Sequence, residues 1–284
     1  MKIVDILNTK RATQSFEVFP PKSDYSYEKV ICAVQEVANL NPDFMSVTYG
    51  AGGSTKGFSL DVAKTINDRG VPALAHMTCI TETEQSIGEK LCELEQNGIK
   101  NVLALRGDIP EGFVGEPHFK HASDLITAIK SKGDFCVGGA CYPECHPESI
   151  NAQTDVDFLK LKVDCGCDFL TSQMFFDNDV FYDFLERAQK SGVNVPVLAG
   201  IMPVTNAAQI TRMLSLSGGT LPKKFNKIIE RYGDDVVAMT HAGIAYATDQ
   251  IIDLYANGVK WVHVYSMNKP YVAQKISENL KGII

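Results

Sequence analysis

The chain has 284 residues, 45% of them apolar and 21% charged, with 27 Lys and Arg against 34 Asp and Glu for a formal net charge of −7. This is the balance of a chain that buries a sizeable core, and it leaves no polybasic surface for nucleic acid or anionic lipid. No apolar run reaches the roughly 18 residues of a membrane span, and Met1–Asp5 opens no signal-peptide stretch, so a cytoplasmic protein is expected.

Taken in chain order, short runs rich in β-branched and aromatic residues alternate with stretches of helical spacing. The first run, Gln14–Phe19, carries Glu17 within Ser15-Phe16-Glu17-Val18-Phe19-Pro20-Pro21. Flanked by apolar side chains, that carboxyl is desolvated, which favours the protonated form a general acid needs. Pointed the other way it would meet a helix layer that is equally apolar. Tyr27–Leu40 follows, with Val30, Ile31, Val34, Val37 and Ala38 on one helical face. The second run, Phe44–Tyr49, leads into Gly50-Ala51-Gly52-Gly53-Ser54-Thr55, small residues that let a backbone approach a flat or anionic ligand.

Ala73–Cys79 carries His76 and Thr78, and Glu82–Asn97 reads as a helix stopped by Gly98. Asn101–Leu105 ends in Arg106-Gly107-Asp108, a charged pair that is costly as mere packing. Phe135–Tyr142 runs into Pro143-Glu144-Cys145-His146-Pro147-Glu148, and Phe169–Met174 contains Ser172-Gln173. After Val195–Ile201 come three helical stretches, Asn206–Leu216, Pro222–Tyr232 and Asp235–Asn257, before a last strand, Trp261–Tyr265. Gly70, Gly98, Gly192 and Gly258 each fall shortly before a strand, where an αβ turn needs positive φ.

Eight strand candidates, most of them starting about 30 residues apart, predict a (β/α)8 TIM barrel. It is read as a single catalytic domain over residues 1–284, with extra helices inserted before the last strand. An open doubly wound sheet is second choice, weakened because no G-x-G-x-x-G follows an early strand. Barrel chemistry sits at the carboxyl ends of the strands. There the chain offers one acid (Glu17), one carboxylate (Asp108), amide and imidazole hydrogen bonders and several aromatics. No lysine lies in the carboxyl half of a predicted strand, which disfavours Schiff-base chemistry, and no carboxylate cluster suits magnesium. Few charges among many flat partners predict a large conjugated ligand. The eight cysteines are read as reduced, mostly buried thiols, and no metal ligand is assigned.

The ordered series Ser15-Phe16-Glu17-Val18-Phe19-Pro20-Pro21, Val47-Thr48-Tyr49-Gly50-Ala51-Gly52-Gly53, His76-Met77-Thr78-Cys79 and Ala104-Leu105-Arg106-Gly107-Asp108 resembles the methylenetetrahydrofolate reductase family. The same holds for Tyr142-Pro143-Glu144-Cys145-His146-Pro147-Glu148, Gln173-Met174-Phe175-Phe176-Asp177 and Gly200-Ile201-Met202-Pro203-Val204, so that seven motifs fall in order between about Asn8 and Asn268. At this length the chain is similar to the bacterial catalytic barrel, without the regulatory domain of the eukaryotic enzymes. The resemblance implies non-covalent FAD and a ping-pong cycle in one-carbon metabolism and methionine biosynthesis. NADH or NADPH gives hydride to flavin N5 and leaves, and 5,10-methylenetetrahydrofolate is then reduced to 5-methyltetrahydrofolate.

By the same resemblance Glu17 is the general acid at the folate N10, and Asp108 is the carboxylate that tunes the flavin and binds the pterin. Gln173 and Tyr265 are folate contacts, joined on the substrate side by Met213 and Lys269. The FAD positions are Thr48, Tyr49, Ala51, His76, Arg106, Gly107, Asp108, Ala122, Tyr142, His146, Asp155 and Lys162, with Lys162 and Arg106 facing the diphosphate. This chain departs from the family pattern at His121, Leu161, Met213 and Lys269, which hold places often taken by an aromatic, a basic residue, a Phe or Leu, and an Arg. Its additional cysteines would suit members that take electrons from a partner subunit, the second choice after NAD(P)H. A homo-oligomer is expected, of no fixed symmetry. Two other readings compete. One is a zinc-thiolate barrel methyltransferase using Cys141, Cys145 and His146, or Cys165 and Cys167. The other is a non-catalytic flavin or folate carrier.

Overall fold

A computed structural model describes residues 1–49, 56–110, 112–113, 115–210, 213–214 and 219–284. Each apolar run forms a strand: β1 (Thr13–Val18), β2 (Met45–Val47), β3 (Ala73–Thr78), β4 (Asn101–Leu105), β5 (Cys136–Cys141), β6 (Phe169–Ser172), β7 (Val197–Ile201) and β8 (Trp261–Tyr265). Neighbours pair in parallel in sequence order and β8 closes on β1, giving the expected (β/α)8 barrel. The register sets Glu17 beside Ser46 on one side and Tyr265 on the other, and Ser15 beside His263.

The helices are α1 (Ile3–Thr9), α2 (Tyr27–Ala38), α3 (Lys56–Asp68), α4 (Glu84–Gln96), α5 (Ala122–Lys132), α6 (Ala152–Asp164), α7 (Asn178–Lys190), α8 (Lys223–Tyr232), α9 (Val236–Ala256) and α10 (Pro270–Leu280). The start of α4 falls two residues after the sequence expectation for a physical reason. Thr83 Oγ1 accepts from the Ser86 amide at 3.2 Å while Ser86 Oγ accepts from the Thr83 amide at 2.9 Å, a reciprocal cap that leaves Glu82 outside the helix. The expected turn glycines all take positive φ, from +70° at Gly98 to +85° at Gly258. Two of the three stretches before the last strand are α8 and α9. In the first, Asn206 accepts from the Ala208 amide at 2.9 Å and starts a short 3₁₀ turn, Ala207–Gln209, beyond which Ile210, Met213 and Leu214 are helical. Residues 211–212 and 215–216 of that stretch lie outside the described residues.

Strand alternation divides the barrel. Outward side chains such as Phe16, Val18, Val47 and Val264 pack with Val34 of α2, Ile66 of α3 and Ile276 of α10 in one continuous core. Inward, the amino-terminal end is a separate apolar floor of Phe44, Leu74, Leu103, Cys136, Phe169 and Leu198, plugged from below by Ile3 and Leu7 of α1. The plug is held by hydrogen bonds: the Ile3 amide donates to Asn101 Oδ1 at 2.9 Å, and Trp261 Nε1 donates to the Leu7 carbonyl at 3.0 Å. Above the floor the interior turns polar, with Ser15, Glu17, Ser46, His76 and His263 all buried. A polar layer inside an apolar barrel raises a solvation cost that packing does not explain, which marks the upper interior as the site.

Candidate active site

At the carboxyl ends of β2 to β5 a cavity of about 1110 Å³ opens, walled also by α5 and α6. It brings together Thr48, Tyr49, His76, Arg106, Gly107, Asp108, Ala122, Tyr142, His146, Asp155 and Lys162. Ala51, named with them from the sequence, lies outside the described residues. His121 and Leu161, two departures from the family pattern, line the same cavity. The His121 ring lies nearly parallel to Phe158 (centroids 6.5 Å apart, 19° between planes), giving the wall a flat apolar face.

Two cations serve the cavity. Lys162 Nζ donates to the Ala140 carbonyl at 2.8 Å, and burial pushes its pKa down. The Arg106 fork binds Glu148 in bidentate fashion, Nη1 to Oε2 at 2.5 Å and Nη2 to Oε1 at 2.8 Å, and so receives a two-oxygen anion at the cavity wall. Gly107 takes φ of +83°, and a Cβ there would lie 2.9 Å from Thr78 Cβ, so only glycine lets β4 turn this closely past β3. Asp155 shapes the neighbouring loop: its carboxylate accepts from the His146 amide at 3.2 Å and from Ser149 Oγ at 3.0 Å. The His146 ring stands edge-on against Tyr142 at 4.5 Å. Beside the cavity, Lys90 Nζ bridges the Tyr49 hydroxyl at 3.0 Å and Glu82 at 2.6 Å.

Of the residues named for the substrate, Asp108 lines this cavity; the others do not, but two of them touch residues that do. Glu17 is 8% exposed, with Oε2 at 3.5 Å from His76 Nε2, at 3.4 Å from Ser46 Oγ and at 3.9 Å from His263 Nε2. Gln173 is hydrogen-bonded to the Tyr142 side chain, while its Oε1 accepts from the Met174 amide at 2.9 Å. Met213 and Tyr265 pack against a common apolar cluster of Met174, Phe176, Val204, Ile210, Phe225 and Met239. Gly200 makes room for Tyr265, since a Cβ there would lie 2.8 Å from the phenol oxygen, which donates to the Ser172 carbonyl at 2.6 Å. Lys269 stands at the N-cap position of α10 without a side-chain cap bond; its Nζ donates to Thr205 Oγ1, and burial lowers its pKa.

Burial pushes the His76 imidazole down to about 4; Glu17 pulls the other way and His263 adds to the fall. The ring is therefore neutral near pH 7, and its 3.5 Å approach to Glu17 is a contact without ion-pair character. Unfolded, the same histidine titrates near 6.5 and takes up a proton that the native state refuses. Stability is thus expected to fall as pH drops from about 6.5 toward about 4, by up to about 3 kcal/mol, and to gain nothing further from this group above that range. Urea unfolding at pH 4.5 and pH 7 reads this loss, and His76→Gln should flatten it.

The sequence reading missed His263. Its signal was the alternation Trp261-His263-Tyr265, which places the imidazole on the inner face of β8 beside Ser15. It also left Glu148 without a partner, although Arg106 holds it. Of the cysteines in the zinc-thiolate reading, burial pushes Cys167 up to about 12 and Cys141 higher still. Among the described residues no three His, Cys, Asp or Glu side chains gather as a metal site, and no helix is long and apolar enough to cross a membrane.

Fold and cavity together define a TIM-barrel enzyme site that can receive a large, flat, partly anionic ligand beside a buried carboxyl group. Comparison with known proteins agrees. The family model described as methylenetetrahydrofolate reductase matches residues 2–281. Methylenetetrahydrofolate reductase (NADH) 1 of Arabidopsis thaliana is 36% identical across 100% of this chain, which spans 51% of that relative's length. The 5,10-methylenetetrahydrofolate reductase of Escherichia coli (strain K12) is 34% identical over 94% of this chain and 90% of its own. A solved structure of an uncharacterized Clostridium thermocellum protein, described as binding two copies of 5-methyl-5,6,7,8-tetrahydrofolic acid, shares the fold with a TM-score of 0.72 at 15% identity, covering 100% of both chains. The chain belongs to the methylenetetrahydrofolate reductase family.

Proposed function

We propose that the whole chain acts as one catalytic barrel that reduces 5,10-methylenetetrahydrofolate to 5-methyltetrahydrofolate, with FAD held non-covalently in the large cavity and NADH or NADPH as reductant. The observation that carries this reading is the shared wall between acid and cavity: His76 lines the cavity and lies 3.5 Å from the buried Glu17 carboxyl. FAD fits the residues present. The volume of about 1110 Å³ suits a dinucleotide-sized ligand, Lys162 and the Arg106 fork suit a diphosphate, and the buried His76 Nε2 has no hydrogen-bond partner within the protein.

When bound, FAD supplies a two-electron carrier able to take hydride from a nicotinamide and pass it to the folate. The chain's own residues do the rest. Glu17 gives its proton to the folate N10, making that amine a leaving group so that the methylene bridge opens to an N5 iminium able to accept hydride. Asp108 stabilises the developing positive charge, and Gln173 orients the pterin. Met213 and Tyr265 offer the apolar wall against which the substrate lies, and Lys269 serves its anionic tail.

Anaerobic stopped-flow of the purified chain tests this. Loss of flavin absorbance with NADH or NADPH, followed by recovery with methylenetetrahydrofolate, is the expected result. A chain that takes up no flavin overturns the proposal. Recovery after chemical reduction, without bleaching by either nucleotide, assigns the electron supply to a partner protein. The diphosphate role of Lys162 has its own test. Lys162→Met is expected to weaken FAD affinity by about tenfold or more, the loss of one charge-assisted contact of about 1.5–3 kcal/mol. The variant's stability without FAD should hold, because the ammonium is already disfavoured by burial. Equilibrium dialysis with FAD and thermal unfolding read the two quantities.

A further inference from the structure

The Arg106 fork at the cavity wall is already filled by an anion of the chain itself. Nη1 donates to Glu148 Oε2 at 2.5 Å and Nη2 to Glu148 Oε1 at 2.8 Å, while Nε donates to the Gly107 carbonyl at 3.3 Å. A guanidinium has two parallel N–H pairs, one formed by Nη1 with Nη2 and the other by Nε with the outer proton of Nη2. Glu148 takes the first, and Gly107 engages the Nε of the second. A phosphate therefore gains a two-point grip on Arg106 by taking the place of Glu148.

Charge points the same way. Among the described residues that line the cavity, the carboxyl groups are Glu82, Asp108, Glu148 and Asp155, and the basic side chains besides histidine are Arg106 and Lys162. Burial disfavours the charged form of Lys162, whereas a guanidinium keeps its charge. With Glu148 seated, that one persistent positive charge is neutralised, and a diphosphate would enter a lining dominated by carboxyl groups. The fork becomes a phosphate site when Glu148 withdraws.

Withdrawal needs only a side-chain rotation. The Glu148 side chain is 60% exposed against 29% for Arg106, so the carboxylate leaves into water, and an ion pair this exposed resists weakly. The backbone stays anchored, with the Glu148 amide donating to His146 Nδ1 at 3.1 Å and the Ser149 amide to the His146 carbonyl at 2.9 Å. A carboxylate tethered beside the fork competes at an effective concentration on the order of millimolar, which a scarcer free anion does not match. A ligand held elsewhere in the cavity by its rings presents its diphosphate on similar terms. We propose that Glu148 is a specificity-determining residue of the cavity, an internal carboxylate that closes the Arg106 fork to free anions and yields it to the diphosphate of a seated FAD. This rests on the proposed binding of FAD there.

The test is the release of FAD on dilution of the loaded chain, read by flavin fluorescence, in wild type, Glu148→Gln, Arg106→Met and the double variant. Glu148→Gln keeps the shape but offers the fork one acceptor and no charge, and should hold FAD about fivefold more tightly, the upper range for one exposed ion pair. In the Arg106→Met background the same substitution should change FAD affinity by less than about twofold, because no fork remains to be freed. Inorganic pyrophosphate at about 1 mM should raise the apparent FAD dissociation constant of Glu148→Gln and leave that of the wild type unchanged. Unchanged or weaker FAD binding in Glu148→Gln overturns the inference. Equal tightening in both backgrounds overturns it too, as the long-range effect of removing one negative charge. Where Arg106→Met holds too little FAD to measure, the pyrophosphate arm decides, and no competition in Glu148→Gln overturns the inference. A wild-type chain that takes up no FAD overturns the proposed function, and this inference falls with it.

Discussion

Glu17→Gln is expected to slow reoxidation of the reduced flavin by methylenetetrahydrofolate by about 10²–10⁴-fold while leaving flavin reduction by NADH or NADPH at the wild-type rate. The substitution keeps size and shape. The amide oxygen can still accept from Ser46 Oγ, as Glu17 Oε2 does, so the buried layer of Ser15, Ser46, His76 and His263 keeps its contacts. What it loses is a proton able to leave. Glu17 is only 8% exposed, so bulk water has little access to replace it. The two half-reactions separate this from general damage. If both slow equally, Glu17 belongs to flavin binding or to the fold, and the acid role falls.

The barrel was legible because strand and helix leave different periods in the apolar residues, and every strand has one face against the helix layer. The cavity was legible too, since the residues after Leu105 and Cys141 are charged or aromatic where a structural turn needs neither. Partnership across the barrel was not. Ser15 and Ser46 reach His263 over sequence separations of 248 and 217 residues, and Arg106 reaches Glu148 over 42. No local pattern marks such pairs, whose chemistry exists only once the barrel closes. Trp261-Val262-His263-Val264-Tyr265 reads as an ordinary alternating strand until the inner face is known. Asn206–Leu216 was legible in part: the Asn206 side chain caps a short 3₁₀ turn, and Ile210, Met213 and Leu214 beyond it are helical, as the spacing predicts.

Phe169→Ala should be the costliest single truncation in the barrel floor, at about 3–5 kcal/mol, or a fall in Tm of roughly 6–10 °C. Phe169 is fully buried among Leu103, Cys136, Leu198 and Phe44. Its ring occupies the space that a side chain on the adjacent strand would take, for a Cβ built on Gly138 would lie 2.5 Å from Phe169 Cζ and 3.0 Å from Leu103 Cδ1. Closed strands on all sides restrict collapse around the gap, so much of the cavity cost should persist. The same fit gives the reciprocal result. Gly138→Ala alone overpacks the floor and should cost about 1–3 kcal/mol, whereas added to Phe169→Ala its methyl group enters the space the ring has left. The double variant should therefore be more stable than the sum of the single effects by about 1 kcal/mol or more, measured as a double-mutant cycle in urea. Additive effects would show that Gly138 and Phe169 do not share that space, and a Phe169→Ala loss under about 1 kcal/mol would show a floor that closes over the gap. The floor matters to the chemistry above it because Phe44, one of its members, stacks on His263. Packing at the amino-terminal end thus sets the angle of the imidazole that reaches toward Glu17.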